Sequence, residues 1–181
     1  MKLTPLEIPD LLLIEPDVFP DHRGQFFEAY HKKKYMEKGL KSEFVQHNQS
    51  ISKKNVLRGL HLQLKHPQGK LVRVLYGEAF DVAVDVRRSS PTFKKWVSVV
   101  LSGDNAKQLY IPPGFAHGFL SLVEGTVFEY KCTEFYDPSD EGAIHWNDPD
   151  LSIRWPIQNP LLSDKDKAAP SLQKIMAQLP S

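Results

Sequence analysis

Residues 79–86, Ala79-Phe80-Asp81-Val82-Ala83-Val84-Asp85-Val86, alternate as an extended strand does. Phe80, Val82, Val84 and Val86 share one face, and Asp81, Ala83 and Asp85 share the other. Similar runs surround it. Leu71 to Tyr76 comes before, closed by Gly77, and Trp96 to Leu101, Lys107 to Ile111, Gly118 to Val123 and Thr126 to Cys132 come after. Glycine, proline or aspartate turns separate them. Strand-like segments recurring at roughly 8–12 residues predict an antiparallel sandwich or barrel. Nearer the N-terminus, Gln25 to Tyr30 and Phe44 to Asn48 read as strands, with Asp21-His22-Arg23-Gly24 as a turn. Prolines at 5, 9, 16 and 20 predict short edge strands before that turn. His31 to Gly39 is polar, rich in helix formers and ends at a glycine, so one short helix is expected there. The alternation fades toward the C-terminus, where Lys165 to Leu179 reads as loop plus a short helix packed on the outside.

At 181 residues, with 41% hydrophobic and 25% charged, the chain is expected to form one domain, 1–181, with a sizeable core. Lysine and arginine number 23 against 22 acids, so no electrostatic case exists for nucleic acid or a membrane surface as the main partner. No apolar run approaches the roughly 18 residues that span a bilayer, and the first residues lack the pattern of a secretory leader. A cytoplasmic location is expected. The single cysteine, Cys132, excludes an internal disulfide and suits a reducing compartment. Lying inside a strand-like run, it reads as a small buried residue rather than a nucleophile. No repeat or linker is visible, and no glycine pattern fits a dinucleotide turn or a P-loop.

Chemistry concentrates in three segments. Val56 to Leu64, VLRGLHLQL, sets His61 between apolar runs just after Arg58 and Gly59. Gln68 to Val74 brings Lys70 to the mouth of a strand, and Ile111 to Phe119 carries His117. These segments are expected to line one pocket. His22, His31, His66 and His145 read as ordinary hydrogen-bonded histidines. Pro112-x-Gly114-x-x-His117 matches the second half of the cupin signature. The first half would want His-x-His, then glutamate, then glycine, where this chain has His61-Leu62-Gln63, then Gln68, then Gly77. Neutral amides are poor ligands, and Lys70 adds positive charge, so a cupin-like barrel without its metal is favoured over a metal-dependent dioxygenase. Histidine, lysine and a phenol together suit proton abstraction beside a carbonyl. Tyr130 is the candidate phenol, although sharing a strand face with Phe128 also fits a core aromatic.

The segments Phe19 to Phe27, Phe44 to Asn48, Val56 to His61, Gln68 to Val74, Phe80 to Arg87 and Ile111 to Phe119 strongly resemble the dTDP-4-dehydrorhamnose 3,5-epimerase family. So do Tyr130 to Thr133, Glu141-Gly142, Trp146 to Asp148 and Leu162 to Asp166, all in family order. The resemblance implies an all-β, cupin-type jelly-roll barrel with short peripheral helices. It also implies a homodimer that uses neither metal nor cofactor and acts on a dTDP-linked 4-keto-6-deoxy sugar. By the same resemblance His61 is the base, oriented by Asp166; Lys70 stabilises the enolate, Tyr130 is the acid and His117 lies in the sugar pocket. Arg23, Glu28, Gln46, His47, Asn48, Arg58, Glu141 and Lys165 map to nucleotide-sugar contacts, with Arg23 and Glu28 reaching in from the partner subunit. Tyr136 maps to an aromatic that stacks on thymine. Leu62 departs from the aromatic common after the histidine, and the loop Leu64 to Pro67 is this chain's own. The alternatives are a single-centre epimerase of a related keto-deoxysugar, a sugar ketoisomerase, a silent sugar-nucleotide binding module and a metal-dependent cupin.

Overall fold

The computed structural model describes residues 1–181. Its strands are β1 (Lys2–Pro5), β2 (Leu12–Glu15), β3 (Val18–Asp21), β4 (Gly24–Phe27), β5 (Gln46–Ser52), β6 (Leu57–Gln63) and β7 (Lys70–Tyr76). β8 (Glu78–Asp85), β9 (Trp96–Ser102), β10 (Gln108–Ile111), β11 (Phe115–Ser121), β12 (Thr126–Cys132) and β13 (Glu141–Ala143) follow. One sheet runs β1-β2-β10-β7-β12-β5 and a second runs β13-β6-β11-β8-β9, while β3 and β4 form a separate hairpin. The helices are short: α1 (Lys32–Glu37), α2 (Asp164–Lys167) and α3 (Leu172–Ile175). This is the antiparallel two-sheet arrangement that the alternation predicts, in the all-β jelly-roll form with small peripheral helices that the resemblance implies. No helix is long and apolar enough to cross a membrane.

Strand β8 shows how the layers are built, because both its faces are buried. Ala79 and Ala83 point between the sheets, joining Val72, Val74, Leu109, Phe115, Phe119 and Phe128. Phe119 and Phe128 stack across the gap with ring centroids 4.0 Å apart. The other face, Val82 and Val84, continued by Val86, packs under Leu151, Ile153, Trp155, Leu172, Ile175 and Leu179. The C-terminal segment without alternation is therefore a second core layer. Burying one leucine such as Leu172 contributes about 1.5–3 kcal/mol.

Several boundaries differ from the sequence reading; β11, for example, begins at Phe115 rather than Gly118. β4 stops at Phe27, because its partner β3 begins at Val18 and Pro16 has no N–H to extend the ladder. β5 starts later than expected, at Gln46, and runs to Ser52, paired with β12 along its whole length. Its register turns Gln46, Asn48 and Ser50 inward and leaves Ile51 exposed. Strand β13 was not anticipated; only three residues long, it pairs Glu141 with Gln63 at the sheet edge. His31 does serve a structural purpose, its Nδ1 accepting from the Lys34 N–H as the N-cap of α1.

The site depends on the close approach of β6 and β11. A Cβ added at Gly59 would sit 2.6 Å from the Gly118 Cα and 2.9 Å from the His117 carbonyl oxygen. Gly59 also adopts φ +127°, which side chains rarely tolerate. Gly118 in turn would press on the Arg58 carbonyl at 2.8 Å. Next to this contact the register pairs His117 with His61. Gly59→Ala should therefore cost about 1–3 kcal/mol in denaturant unfolding. An unchanged midpoint would show that the contact is slack.

Candidate active site

His61 projects from β6, and its Nε2 meets Asp166 Oδ1 at 2.6 Å. Asp166 lies in the first turn of α2. The Ser163 hydroxyl caps that helix, accepting the Asp166 N–H at 3.1 Å and donating to Asp166 Oδ2 at 2.9 Å. Burial alone would push the Asp166 carboxyl up. The His61 ring, the Ser163 hydroxyl and the Gly59 N–H outweigh it and hold the group below the usual carboxylate range. A carboxylate on Nε2 assigns that nitrogen as the N–H donor and leaves Nδ1 as the basic atom.

The facing sheet supplies Lys70 from β7 and Tyr130 from β12, while His117 and Phe119 come from β11 beside His61. His61, Lys70, His117, Phe119 and Tyr130 line a cavity of about 480 Å³, with Arg58 and Lys165 also on its wall. It runs into a second chamber of about 410 Å³ that shares His61, Lys70, Tyr130 and Gln49. Gln46, Asn48, Gln68, Tyr136 and Glu141 line that chamber. His61 belongs to β6 and Tyr130 to β12, so imidazole and phenol enter the cleft from opposite sheets. Burial raises the Tyr130 phenol above its ordinary value, which keeps its proton in place. Burial pulls the Lys70 ammonium down, with Cys132, Asp81 and Glu141 pulling it back up.

The polar side chains of the second chamber are tied to one another. Glu141 Oε2 accepts from the Tyr136 hydroxyl at 2.6 Å and pairs with Lys165. Burial raises the Glu141 carboxyl, yet Lys165 and Tyr136 together bring it below its ordinary value. The Tyr136 N–H donates to Gln46 Oε1 at 2.9 Å, and Gln46 Nε2 donates to Asn48 Oδ1 at 3.0 Å. Arg58 is steadied at the rim by Ser52 Oγ, 3.1 Å from its Nε.

Gln63 stands where the cupin pattern would put a second histidine, and both ends of its amide are engaged. Its Nε2 donates to the His66 carbonyl at 2.9 Å, and its Oε1 accepts the Asp137 N–H at 2.8 Å. Gln68 Nε2 similarly donates to the Glu134 carbonyl at 2.8 Å. No group of three or more His, Cys, Asp or Glu side chains could hold a metal ion. Cys132 is buried, as its strand position predicts.

Thus His61, Lys70, Tyr130, Asp166, Arg58, His117, Gln46, Asn48, Tyr136, Glu141 and Lys165 converge on one cleft. Arg23, Glu28 and His47 do not reach it within this chain. Arg23 is exposed at the β3–β4 turn, clamped to Asp21, and Glu28 pairs with Lys34 at 2.9 Å. His47 lies on the outer face of β5 against Glu129 at 3.1 Å, beside Arg73. Sequence reasoning missed Ser163 and Asp81. The latter binds His117 Nε2 at 2.8 Å from deep inside the barrel. The carboxylates on one face of residues 79–86 were the available signal.

Residues 5–174 match the family model described as dTDP-4-dehydrorhamnose 3,5-epimerase. The dTDP-4-dehydrorhamnose 3,5-epimerase of Shigella flexneri is 56% identical over 168 residues, 92% of this chain and 93% of that protein. The Legionella pneumophila dTDP-6-deoxy-D-glucose-3,5-epimerase, solved in complex with dTDP-4-keto-L-rhamnose, superposes with TM-score 0.95 at 50% identity, covering 99% of this chain and 97% of that one. A 3'-monoepimerase from Streptomyces bikiniensis in complex with dTDP-quinovose gives TM-score 0.91 at 34% identity, covering 98% and 92%.

The depressed Asp166 carboxyl carries a pH signature. Its stabilising effect is complete above the unfolded value near 3.8 and is lost as pH falls through the lower folded value. Asp166→Asn should be less stable than wild type at neutral pH, with the gap closing in strongly acid solution. A gap of constant size across that range would contradict the assigned hydrogen bonds.

Proposed function

The chain belongs to the dTDP-4-dehydrorhamnose 3,5-epimerase family and is an isomerase, and on that premise we propose that it inverts C3 and C5 of dTDP-4-dehydro-6-deoxy-D-glucose. The product is dTDP-4-dehydro-L-rhamnose, an intermediate of dTDP-L-rhamnose biosynthesis. The observation that carries this reading is the His61–Asp166 pair facing Tyr130 across one cleft, with Lys70 between the sheets. The C4 ketone acidifies the hydrogens on C3 and C5. His61 Nδ1 takes one of them, Asp166 stabilises the imidazolium that forms, and the electron pair moves onto the ketone oxygen. Lys70 and His117 face that developing charge, where preorganised donors act most strongly. Tyr130 then delivers its proton to the opposite face of the carbon, which inverts it. Water restores both groups before the second centre reacts. The route is proton transfer throughout.

Arg58 suits the diphosphate, since guanidinium forks match phosphate oxygens. Gln46, Asn48, Glu141 and Lys165 serve the sugar nucleotide, with Tyr136 stacking on the thymine. We assign the working form as a homodimer of 1–181 domains. Support comes from the β3–β4 hairpin, where cross-strand partners Phe19 and Phe26 are 61% and 70% exposed. A second copy covering that pair would carry Arg23 and Glu28 into the neighbouring cleft. A reducing cytoplasm suits the buried thiol of Cys132. The single-centre alternative draws on the likeness to the 3'-monoepimerase, which is less similar in sequence than the 3,5-epimerases.

Incubation with dTDP-4-keto-6-deoxyglucose in deuterated water should place label at both C3 and C5. Label at one carbon only selects the single-centre reading. His61→Ala should lower turnover by about 10²–10⁴-fold and abolish that exchange. Exchange retained at the wild-type rate would mean that another base operates.

A further inference from the structure

Asp81 occupies the middle of β8 with no solvent exposure. One carboxylate oxygen, Oδ2, bonds His117 Nε2 at 2.8 Å, while the other, Oδ1, is buried without a hydrogen-bond partner. A buried carboxylate oxygen left unpaired is costly, and such exceptions call for a reason. The surroundings supply one. His117 and Lys70 both line the cleft, and Lys70 enters from the facing strand β7, where partial burial pulls its ammonium down from the usual range.

The groups around Lys70 can be taken element by element. His61 on β6 is committed to Asp166. Glu141 on β13 is already bound by Lys165 and Tyr136. On β12, burial pushes both the Cys132 thiol and the Tyr130 phenol up, so each keeps its proton. His117 on β11 brings no negative charge. Among the groups acting on the ammonium, this leaves Asp81 as the carboxylate not bound to another cationic side chain or phenol.

We propose that Asp81 is a positioning residue for the epimerisation: it fixes His117 toward the cleft and supplies the counter-charge beneath the Lys70 ammonium, so that two donors converge on the ketone oxygen. This rests on the enolate reading above. Fixing Nε2 of His117 on Asp81 leaves Nδ1 as the ring atom available to substrate. It also explains why an acidic residue interrupts the alanines on the inner face of β8.

The test is Asp81→Asn in the full chain, with lysine ε-carbons labelled with ¹³C and Lys70 followed through a pH titration by NMR. The Lys70 midpoint should fall by about one pH unit or more, and the alkaline limb of kcat should fall with it. Above that limb kcat should drop about tenfold while KM changes less. Glu141→Gln should move the Lys70 midpoint less than Asp81→Asn does. An unchanged Lys70 midpoint in folded Asp81→Asn overturns the proposal. A midpoint that falls while kcat keeps its wild-type pH dependence overturns instead the enolate reading. Should Asp81→Asn fail to fold, wild-type Lys70 decides: an ammonium kept through neutral pH supports the proposal, and one that deprotonates below neutrality overturns it.

Discussion

The hydrogen bond from His61 to Asp166 ties together parts of the chain that have little else in common. It joins an inner strand of one sheet to a one-turn helix 105 residues away in sequence. A carboxylate as buried as Asp166 must be paired, because leaving it alone in the interior would cost several kcal/mol. Pairing it with an imidazole satisfies that demand and also selects the histidine nitrogen that faces the cleft. One contact therefore closes the C-terminal segment over the barrel and sets which nitrogen of the proposed base is free.

A second constraint is that the jelly roll carries polar side chains between its sheets. At one end the gap is filled with Phe115, Phe119 and Phe128 and their aliphatic neighbours. At the other, β5 turns Gln46, Asn48 and Ser50 inward, and the space they frame is the cleft. The buried carboxylates there each have a partner, although Asp81 uses only one of its two oxygens. Asp166 has His61 and Ser163, Glu141 has Lys165 and Tyr136, and Asp81 has His117. Glycines at 59 and 118 let the two histidine strands approach closely enough for this arrangement.

The layout was legible in the sequence where periodicity is strong. Residues 79–86 announced a strand, and the spacing of later runs announced a sandwich. Strand β5 was harder to bound because its inward face is polar, and a pattern of apolar residues cannot reveal a polar lumen. The C-terminal layer was hidden for another reason: Leu172, Ile175 and Leu179 follow no strand period, and only the tertiary structure shows the valines they cover. Among the site residues, His61, Lys70 and His117 stood out from local context. Asp166, Glu141 and the proposed nucleotide contacts came through family resemblance, since partners far apart in sequence leave no local trace. Asp81 was visible as a carboxylate on a strand face, but nothing in the chain told that this face points inward.

The account stands on imidazole and phenol entering the cleft from opposite sheets, so that removal and return of a proton occur on opposite faces of the sugar. Tyr130→Phe tests this most directly, with dTDP-4-keto-6-deoxyglucose in deuterated water and NMR reading both label and configuration. The account predicts that deuterium enters beside the ketone with the original configuration kept, as His61 returns protons to the face it takes them from. Inverted product formed at the wild-type rate would contradict it.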